Sequence, residues 1–483
     1  MNNSSFSKVR NNVLNNLRPD VRLSRSLACL VLLGAAVSAA LPARASGDVE
    51  PLGVLTEPGS AGFGAIVRSD PSPYQGGRTR ADILPLYLYE GERFFLDANR
   101  AGVKLFNSSS QRIDLFAAQR LEGFTSEHLP SSVSGMALRE SGVDLGLSWR
   151  YRQPWGTVQA EWLHDVDSRS SGNEVRLGYS YEWRSGPWQL RPSIRVARRD
   201  AKLNNFYYGV QDSEAAPGRP AYAPGAGINT TLGLYGSYDV SQRWRLLAGV
   251  SATLLDRKIK DSPIVKSGVL PSVYVGAAYD FGRHEGEWRR ESSPTWVKLL
   301  YGKATDDGCH LLKIVTAQCL STASVNSTSI TGIQIGKPFL EKVNGWPLDF
   351  VGYAGLTHHN DSGLQANGLQ LDLFMKAVYS GFPWNDRVRT RLGFGVGVSA
   401  AQRAPYIEAS SQAAAGKPTS RVLQYLEPTL DVNLGDIVGA RSLKDTYVGF
   451  GVSHRSGIFG ASRLLGDVSG GSNYIYTYVE SAF

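Results

Sequence analysis

Two segments of the sequence have the alternating pattern of a strand that is long enough to cross a membrane. Residues 272–281 read SVYVGAAYDF, and the chain ends on residues 473–483, NYIYTYVESAF. Side chains alternate along a strand, so Val273, Val275 and Tyr279 share one face. A tilted membrane-spanning strand needs about 9–11 residues. Because each segment resembles the strand that closes a membrane barrel, we expect two barrels in tandem or one large barrel made from two halves.

The overall composition is compatible with a barrel of this kind. The chain has 483 residues, which is enough for two folding units, and it contains 52 Gly, 22 Tyr and 10 Trp. Glycine suits turns and close backbone packing, and aromatic side chains form the girdles at membrane interfaces. No segment after residue 45 approaches the ~20 apolar residues of a spanning helix.

The N-terminus has the features of a cleaved signal peptide. Basic residues precede an apolar run from Leu27 to Ala40, and Ala43-Arg44-Ala45 then offers a small-x-small cleavage site. Removal of residues 1–45 leaves 45 basic and 42 acidic residues in the mature chain. This near balance predicts no nucleic-acid partner.

Residues 60–281 alternate strand-like runs with polar turns. Leu145, Leu147 and Trp149 alternate with small or polar residues, and short turns such as 153–156 alternate with long connections such as 200–229. A β-sandwich also alternates, but its strands average only about 5–6 residues. Runs of about ten residues with aromatic ends favour lipid on one face and a polar lumen on the other.

The second half has the same style without clear sequence repetition. Eight candidate strands fall at 296–303, 328–336, 347–357, 368–379, 387–400, 422–434, 445–456 and 472–483. Eight is the smallest number of strands that closes a membrane barrel. We therefore predict an all-β fold of transmembrane antiparallel β-barrels, with 10–12 strands in the first barrel and about 8 in the second. The predicted domains are a signal peptide (1–45), a first barrel (46–282), a linker (283–295) and a second barrel-like unit (296–483).

The mature chain keeps two cysteines, Cys309 and Cys319. In an exported protein two cysteines ten positions apart more often form a disulfide than a metal site, and two free thiols are the alternative.

Several stretches of the first half resemble the MipA/OmpV family of outer-membrane proteins. In chain order they are Gly62-Phe-Gly-Ala-Ile-Val, Tyr74-Gln-Gly-Gly, Ile83-Leu-Pro-Leu-Tyr-Leu-Tyr, Arg93-Phe-Phe-Leu, Gly102-Val-Lys-Leu-Phe, Phe206-Tyr-Tyr-Gly-Val, Tyr222-Ala-Pro-Gly-Ala-Gly and Ser262-Pro-Ile-Val. The resemblance implies an outer-membrane barrel over about residues 60–281. It also implies a scaffold or envelope-maintenance role, with murein-synthesising and murein-cleaving enzymes as possible partners. Members of the family usually stop at the Tyr-x-Phe strand, whereas this chain continues for 200 residues.

A shorter similarity lies near the C-terminus, where His454-Arg-Ser456 resembles the His-x-Ser of PagL-type lipid A deacylases. That resemblance implies a Ser456 nucleophile and a His454 base, with Asp467 as the nearest candidate for the orienting acid. On a strand His454 and Ser456 share a face, which would be the lipid-facing side near a rim. The alternative is an interfacial histidine and serine at a strand end.

Other polar clusters predict little chemistry. His358-His359-Asn-Asp361 follows a strand and reads as a loop, and adjacent histidines in extended chain point to opposite sides. We expect no metal site and no cofactor. The clusters Arg198-Arg199-Asp-Ala-Lys202 and Arg257-Lys258-Ile-Lys260 suit barrel rims, where they would meet outer-membrane lipid and lipopolysaccharide phosphates. Solvated strand ends are the simpler interpretation.

Together these patterns and the MipA/OmpV resemblance favour an exported outer-membrane barrel with a non-enzymatic scaffold or envelope-maintenance role. Two alternatives stay open from the sequence. One is a lipid A acyl hydrolase that uses Ser456 and His454. The other is a small-solute channel, if the two halves form one wide pore.

Overall fold

A computed structural model of the chain describes residues 60–281, 293–306, 308–322 and 327–483. The predicted signal peptide lies outside the described residues, as does the linker up to residue 292. Within the described part of the chain, none of the helices has the length and the apolar character needed to span a membrane.

Residues 60–281 form an antiparallel barrel. Its strands are β1 (Ser60–Pro71), β2 (Thr79–Glu90), β3 (Phe94–Asp97), β4 (Arg100–Asn107), β5 (Gln111–Gln119), β6 (Val143–Gln153), β7 (Gly156–Asp165), β8 (Asn173–Ser180), β9 (Trp183–Ser185), β10 (Trp188–Arg199), β11 (Gly227–Asp239), β12 (Trp244–Leu254) and β13 (Val269–Asp280). Strands β8 and β9 both pair with β10, so they are two segments of one wall strand. The closing strand β13 pairs with β1, and β10 pairs with β11, which makes this a twelve-strand barrel.

Residues 296–483 form a second, closed barrel. Its strands are β14 (Trp296–Ala304), β15 (Ser329–Leu340), β16 (Leu348–Asn360), β17 (Gly368–Tyr379), β18 (Thr390–Ala401), β19 (Val422–Asn433), β20 (Thr446–Ser456) and β21 (Gly471–Ala482). The C-terminal strand β21 pairs with both β20 and β14 and so closes this eight-strand barrel. The predicted all-β fold of two tandem barrels is confirmed.

The faces of the strands follow the alternation seen in the sequence. On β6 the apolar side chains of Leu145, Leu147 and Trp149 are exposed on the outer surface, where lipid lies. On the opposite face of β6, Asp144 and Ser148 point into the lumen and are buried. The apolar, lipid-facing surface is therefore made by every second residue, and this is why average hydropathy does not reveal it.

In each barrel the connections at one rim are on average short turns, and those at the opposite rim are on average longer loops. Near the short turns, aromatic side chains stack along the outer surface, as in the pair Trp155 and Tyr179, whose ring centroids are 6.2 Å apart. Aromatic girdles mark the interfaces of membrane barrels, and their short turns face the periplasm. The short-turn rim is therefore the periplasmic one, and the long loops face outward.

The long loops of the twelve-strand barrel pack into a cap. Helix α1 (Ala201–Tyr208) begins at Asp200, whose side chain accepts a hydrogen bond from the Leu203 amide. The apolar side chains buried in the cap are Tyr74, Phe124, Val133, Met136, Leu203, Tyr207, Tyr208, Val210, Ile259, Ile264 and Val265. Glu214 accepts two hydrogen bonds from Arg139 within it. Burial alone raises the pKa of the Glu214 carboxyl, but the Arg139 hydrogen bonds outweigh it and hold that pKa below its usual value.

The sequence interpretation of His358 and His359 as loop residues is wrong. Both lie in β16, which runs from Leu348 to Asn360. His359 points into the lumen, where its Nε2 lies 2.8 Å from Gln370 Oε1, and His358 is exposed on the opposite face. The run Asn-Asp-Ser-Gly that follows the histidines is typical of a turn, but the strand continues past them.

Candidate functional sites

The two residues of the His-x-Ser motif lie at the outer end of β20. His454 and Ser456 share the outward face of this strand with Phe450, which is 68% exposed. The structure thus places the pair near the outer rim on the lipid-facing side of the eight-strand barrel. This is the depth at which an acyl-chain hydrolase needs its nucleophile.

The contacts of the pair differ from those of a catalytic triad. His454 Nδ1 lies 2.6 Å from Asn473 Oδ1, and Ser456 Oγ accepts a hydrogen bond from the Ile458 amide at 3.3 Å. Among the described residues no hydrogen bond joins Ser456 to His454. Asp467 lies in the following loop with φ of 60°, and the partner of His454 is Asn473 instead.

Asn473 is a residue that the sequence interpretation missed. It lies on β21 directly across from His454 in the β20–β21 register. Its amide Nδ2 also donates a hydrogen bond to the Cys309 carbonyl, 3.2 Å away. The contact between His454 and Asn473 depends on how β20 and β21 are aligned. It could be predicted from the sequence only if the register of this last hairpin were known.

A loop containing both cysteines covers this part of β20. Cys309 and Cys319 are joined as a disulfide with their Cα atoms 5.7 Å apart, around a short helix α2 (Leu311–Val315). Cys309 and Ile314 pack with Val452 of β20 in one buried cluster. The loop therefore lies over the outward face beside His454.

We expect labelling of the unreduced, denatured protein with a thiol reagent to find no free thiol at either cysteine. Closing a loop of this size is worth about 3 kcal/mol in the chain-entropy model, and the exported compartment is oxidising. The same protein should label at Cys309 and Cys319 after reduction. Two reactive thiols before reduction would contradict this prediction.

The lumen of the eight-strand barrel is filled by a buried ionic network. Glu427 Oε2 lies 2.6 Å from Lys376 Nζ and 3.3 Å from Lys298 Nζ, and Gln334 donates to its Oε1 at 2.6 Å. The side chains of Lys298 and Glu427 are both 0% exposed. Tyr353, Tyr425, Tyr476 and Tyr478 are also buried in this barrel. Paired charges and packed rings fill this lumen at the level of Glu427.

The lumen of the twelve-strand barrel is also lined by paired charges. Arg120 contacts Asp144 at 2.7 Å and Glu174 at 2.6 Å, while Arg100 contacts Glu161 at 2.7 Å. A cavity beside these pairs is lined by residues of β4, β5, β7, β8 and β10. The cap of long loops lies above it. The arrangement is a charged interior that is closed on the outer side.

Three residues of the basic clusters at the rim have partners within the protein. Arg199 is buried and donates two hydrogen bonds to Glu122, at 2.8 and 2.9 Å. Lys258 donates to the Ala226 carbonyl at 3.0 Å, and Arg257 lies 3.5 Å from Asp261 with its side chain 91% exposed. The side chains of Arg198, Lys202 and Lys260 are also exposed. In the described ranges, no three His, Cys, Asp or Glu side chains are grouped in a way that could hold a metal ion.

Comparison with known proteins identifies the first half of the chain. The model of the family described as MltA-interacting protein MipA matches residues 63–281. Omp26La, an outer-membrane protein of Vibrio anguillarum, is 29% identical over 194 residues, covering 40% of this chain and 76% of the relative. YiaT, described as a putative outer-membrane protein of Escherichia coli K12, is 25% identical over 221 residues, or 45% of this chain and 90% of the relative.

A third relative carries a functional name. The MltA-interacting protein of Escherichia coli K12 is 25% identical over 238 residues, which is 47% of this chain and 93% of the relative. Among solved structures, OprB from Pseudomonas putida matches at 10% identity over 88% of this chain and 93% of OprB, with a TM-score of 0.21, and we base no argument on it.

The predicted resemblance and location are confirmed: the matched relatives are named as outer-membrane proteins, and this chain has the lipid-facing barrels that the outer membrane requires. Residues 63–281 are a barrel of the MipA/OmpV family of outer-membrane proteins.

Proposed function

We propose that this outer-membrane protein is a non-enzymatic scaffold that holds murein-processing enzymes at its periplasmic face. The observation that carries the proposal is the relative named MltA-interacting protein, of which the match covers 93%. The filled lumen of the eight-strand barrel and the capped, charge-paired lumen of the twelve-strand barrel support a binding role. The wide pore that a channel function required is not formed, since the two halves are separate barrels.

The periplasmic turns of the eight-strand barrel offer a surface for such a partner. Trp346 is 66% exposed and Trp384 is 52% exposed on two of these turns. On a third, helix α3 (Leu434–Val438) exposes Ile437 by 53% and Val438 by 57%. Exposed apolar side chains grouped at one rim are typical of protein or membrane contact sites.

Binding of purified MltA to the full chain in detergent tests the proposal. We expect saturable binding that weakens when Ile437 and Val438 are both replaced by serine, because burial of each side chain contributes to affinity. The matched control is Phe459→Ser, since Phe459 is 94% exposed at the opposite rim. No binding above that of an unrelated barrel protein would reject the scaffold proposal.

A second candidate function is the hydrolysis of lipid A acyl chains. The observation that favours it is the 2.6 Å contact of His454 with Asn473, since an amide is able to orient a catalytic histidine in some triads. Ser456 is two residues away on the same outward face of β20. Asp467 does not fill the orienting role in this geometry.

We expect Ser456→Ala and His454→Ala to leave the lipid A profile unchanged, because Ser456 Oγ and the imidazole are not hydrogen-bonded to each other. Mass spectrometry of lipid A from cells with and without each variant measures this. Asn473→Ala and Asp467→Ala are the companion variants. Acyl release that is lost in Ser456→Ala and Asn473→Ala but kept in Asp467→Ala would establish the hydrolase. It would also identify the Asn473 amide, rather than the Asp467 carboxylate, as the group that orients His454.

A further inference from the structure

The outer rim of the twelve-strand barrel has a group of exposed basic side chains above β10–β12. The group consists of Arg198 at the outer end of β10, Lys202 of helix α1, and Arg257, Lys258 and Lys260 of the helical turn that follows β12. We call these five residues the basic rim. The remaining arginine of the two sequence clusters, Arg199, points into the lumen and is paired with Glu122. The basic rim is therefore the part of these clusters that faces outward.

Strand register brings the two parts of the basic rim together. Arg198 lies directly across from Ile228 in the β10–β11 register. The Ile228 amide donates a hydrogen bond to Asp256 Oδ2 at 2.8 Å, and Asp256 immediately precedes the helical turn. Lys258 Nζ donates to the Ala226 carbonyl at 3.0 Å, just before β11 begins. Arg198 and Lys258 therefore flank the outer end of β11 from its two neighbouring strands.

The carboxylates in these segments do not balance the basic rim. Asp200 and Asp256 each accept hydrogen bonds from two backbone amides, so they hold the loops in place. Asp261 lies 3.5 Å from Arg257, whose side chain is 91% exposed. Within residues 198–202 and 256–261, once the pair of Arg199 and Glu122 is set aside, five basic side chains stand against three carboxylates. This surface is therefore positively charged, and an anionic group can reach it from outside.

Directly below the basic rim the outer wall is apolar. One row of outward-facing residues crosses four paired strands in the order Val196, Thr230, Leu254 and Val269. Its three apolar members are exposed, and so is Ile228, which lies one row higher beside Arg198. A membrane barrel presents such side chains to the acyl chains of lipids. The basic rim therefore lies at the depth where the acyl chains of the outer leaflet end and the headgroups begin.

We propose that the basic rim and the apolar wall below it form one binding site for lipopolysaccharide. The phosphates of its lipid A contact Arg198, Arg257 and Lys258, while its acyl chains lie against Ile228 and Leu254. Arginine binds phosphate through two parallel hydrogen bonds, and lysine binds it as a point charge. Lipid A joins phosphates and several acyl chains in one headgroup, which matches a positive surface placed directly above an apolar one. The site is at the rim opposite to the periplasmic turns, so it does not depend on the scaffold role.

Titration of the full-length protein in mild detergent, with native mass spectrometry to count the bound lipid, tests this proposal. The probes are bisphosphorylated lipid A, the same lipid A after removal of its phosphates, and phosphatidylglycerol. We expect bisphosphorylated lipid A to bind about tenfold more tightly than either of the others, because each basic residue near an anionic lipid headgroup strengthens binding about fivefold. This preference should fall as the salt concentration rises, since salt screens charges at a surface. Equal affinity for the phosphorylated and dephosphorylated lipid A would overturn the proposal.

Paired variants make the result specific to the basic rim. Arg198→Ala/Arg257→Ala should weaken the binding of bisphosphorylated lipid A about tenfold and leave that of the dephosphorylated lipid unchanged. Arg198→Lys/Arg257→Lys keeps both charges and should retain most of the affinity. The matched control is Arg152→Ala/Arg184→Ala, which removes two exposed arginines at the periplasmic rim of the same barrel and should have no effect.

Heat-modifiability on a gel confirms that each variant is folded. If Arg198→Ala/Arg257→Ala binds bisphosphorylated lipid A as tightly as the natural protein does, the basic rim is not the site. A loss of the same size in the control pair would mean that only the overall charge of the protein matters, and this result would also overturn the proposal.

Discussion

Replacement of Glu427 by alanine should destabilise the eight-strand barrel by about 3–5 kcal/mol. Glu427 is the shared partner of Lys298 and Lys376, and its side chain is 0% exposed. Without it two ammonium groups remain in a lumen that water does not reach. Their nearest remaining carboxylate is Glu480, at 4.0 Å from Lys298 Nζ. Buried charges that lose their partner are among the most costly defects in a fold.

Urea unfolding of the full chain in lipid vesicles, followed by near-ultraviolet circular dichroism, measures this effect. The matched control is Leu430→Ile, which changes a lipid-facing residue of the same strand at constant volume. Glu427→Gln should fall between the two, because the amide keeps hydrogen bonds but loses the negative charge. If Glu427→Ala unfolds at the same urea concentration as Leu430→Ile, the network does not hold this barrel together.

The strands of both barrels could be predicted from the sequence because their signal is local. Each membrane strand repeats its alternation over about ten residues, so the predicted strand 368–379 coincides with β17 (Gly368–Tyr379). Strand β3, with four residues, is too short to show a period, and because it pairs with β2 only over Leu88–Glu90 it leaves a gap in the barrel wall beside the preceding residues of β2. The gap in the wall is therefore a consequence of a hairpin that the pattern cannot reveal.

The contacts inside the barrels could not be predicted because they are not local. Lys298 and Glu427 are 129 positions apart, and each shares its strand with a second charged residue, Lys303 or Asp431, so neither strand alone identifies the pair. Asp467 is the first acidic residue after His454 along the chain. The register of the closing hairpin brings Asn473 there instead. Pairing across strands is fixed by register, and no single strand contains that information.

The second large effect concerns the independence of the two barrels. We expect residues 46–282, expressed alone, to give a heat-modifiable and protease-resistant band. The hydrogen bonds that close the twelve-strand barrel, between β1 and β13 and between β10 and β11, all lie within this fragment. Closed barrels satisfy their backbone groups internally, which is what allows them to persist in detergent.

The isolated barrel should nevertheless be less stable than the same barrel in the full chain. The fragment lacks Leu464 and Leu465 of the loop 457–470, which pack in one buried cluster with lumen side chains of the twelve-strand barrel. Without that loop the Ile83 amide also loses its hydrogen bond to the Ala461 carbonyl. Loss of one buried leucine side chain typically costs about 2–5 kcal/mol. The full-length variant Leu465→Ala is the matched control, because it weakens the same contact without truncation. Its unfolding midpoint for the twelve-strand barrel should lie between those of the fragment and the natural protein.

Each result for the fragment discriminates between two organisations of the chain. A folded fragment with a lowered midpoint means that the eight-strand barrel is a separate unit that reinforces its neighbour through the loop 457–470. A fragment that never folds, while the full chain does, means that the β2 edge must be covered before the first barrel closes. In that case Leu465→Ala should also reduce the yield of folded full-length protein, because the same contact would then be required during assembly. A fragment as stable as the full chain would show that the contacts of the loop 457–470 with the twelve-strand barrel contribute nothing to its stability.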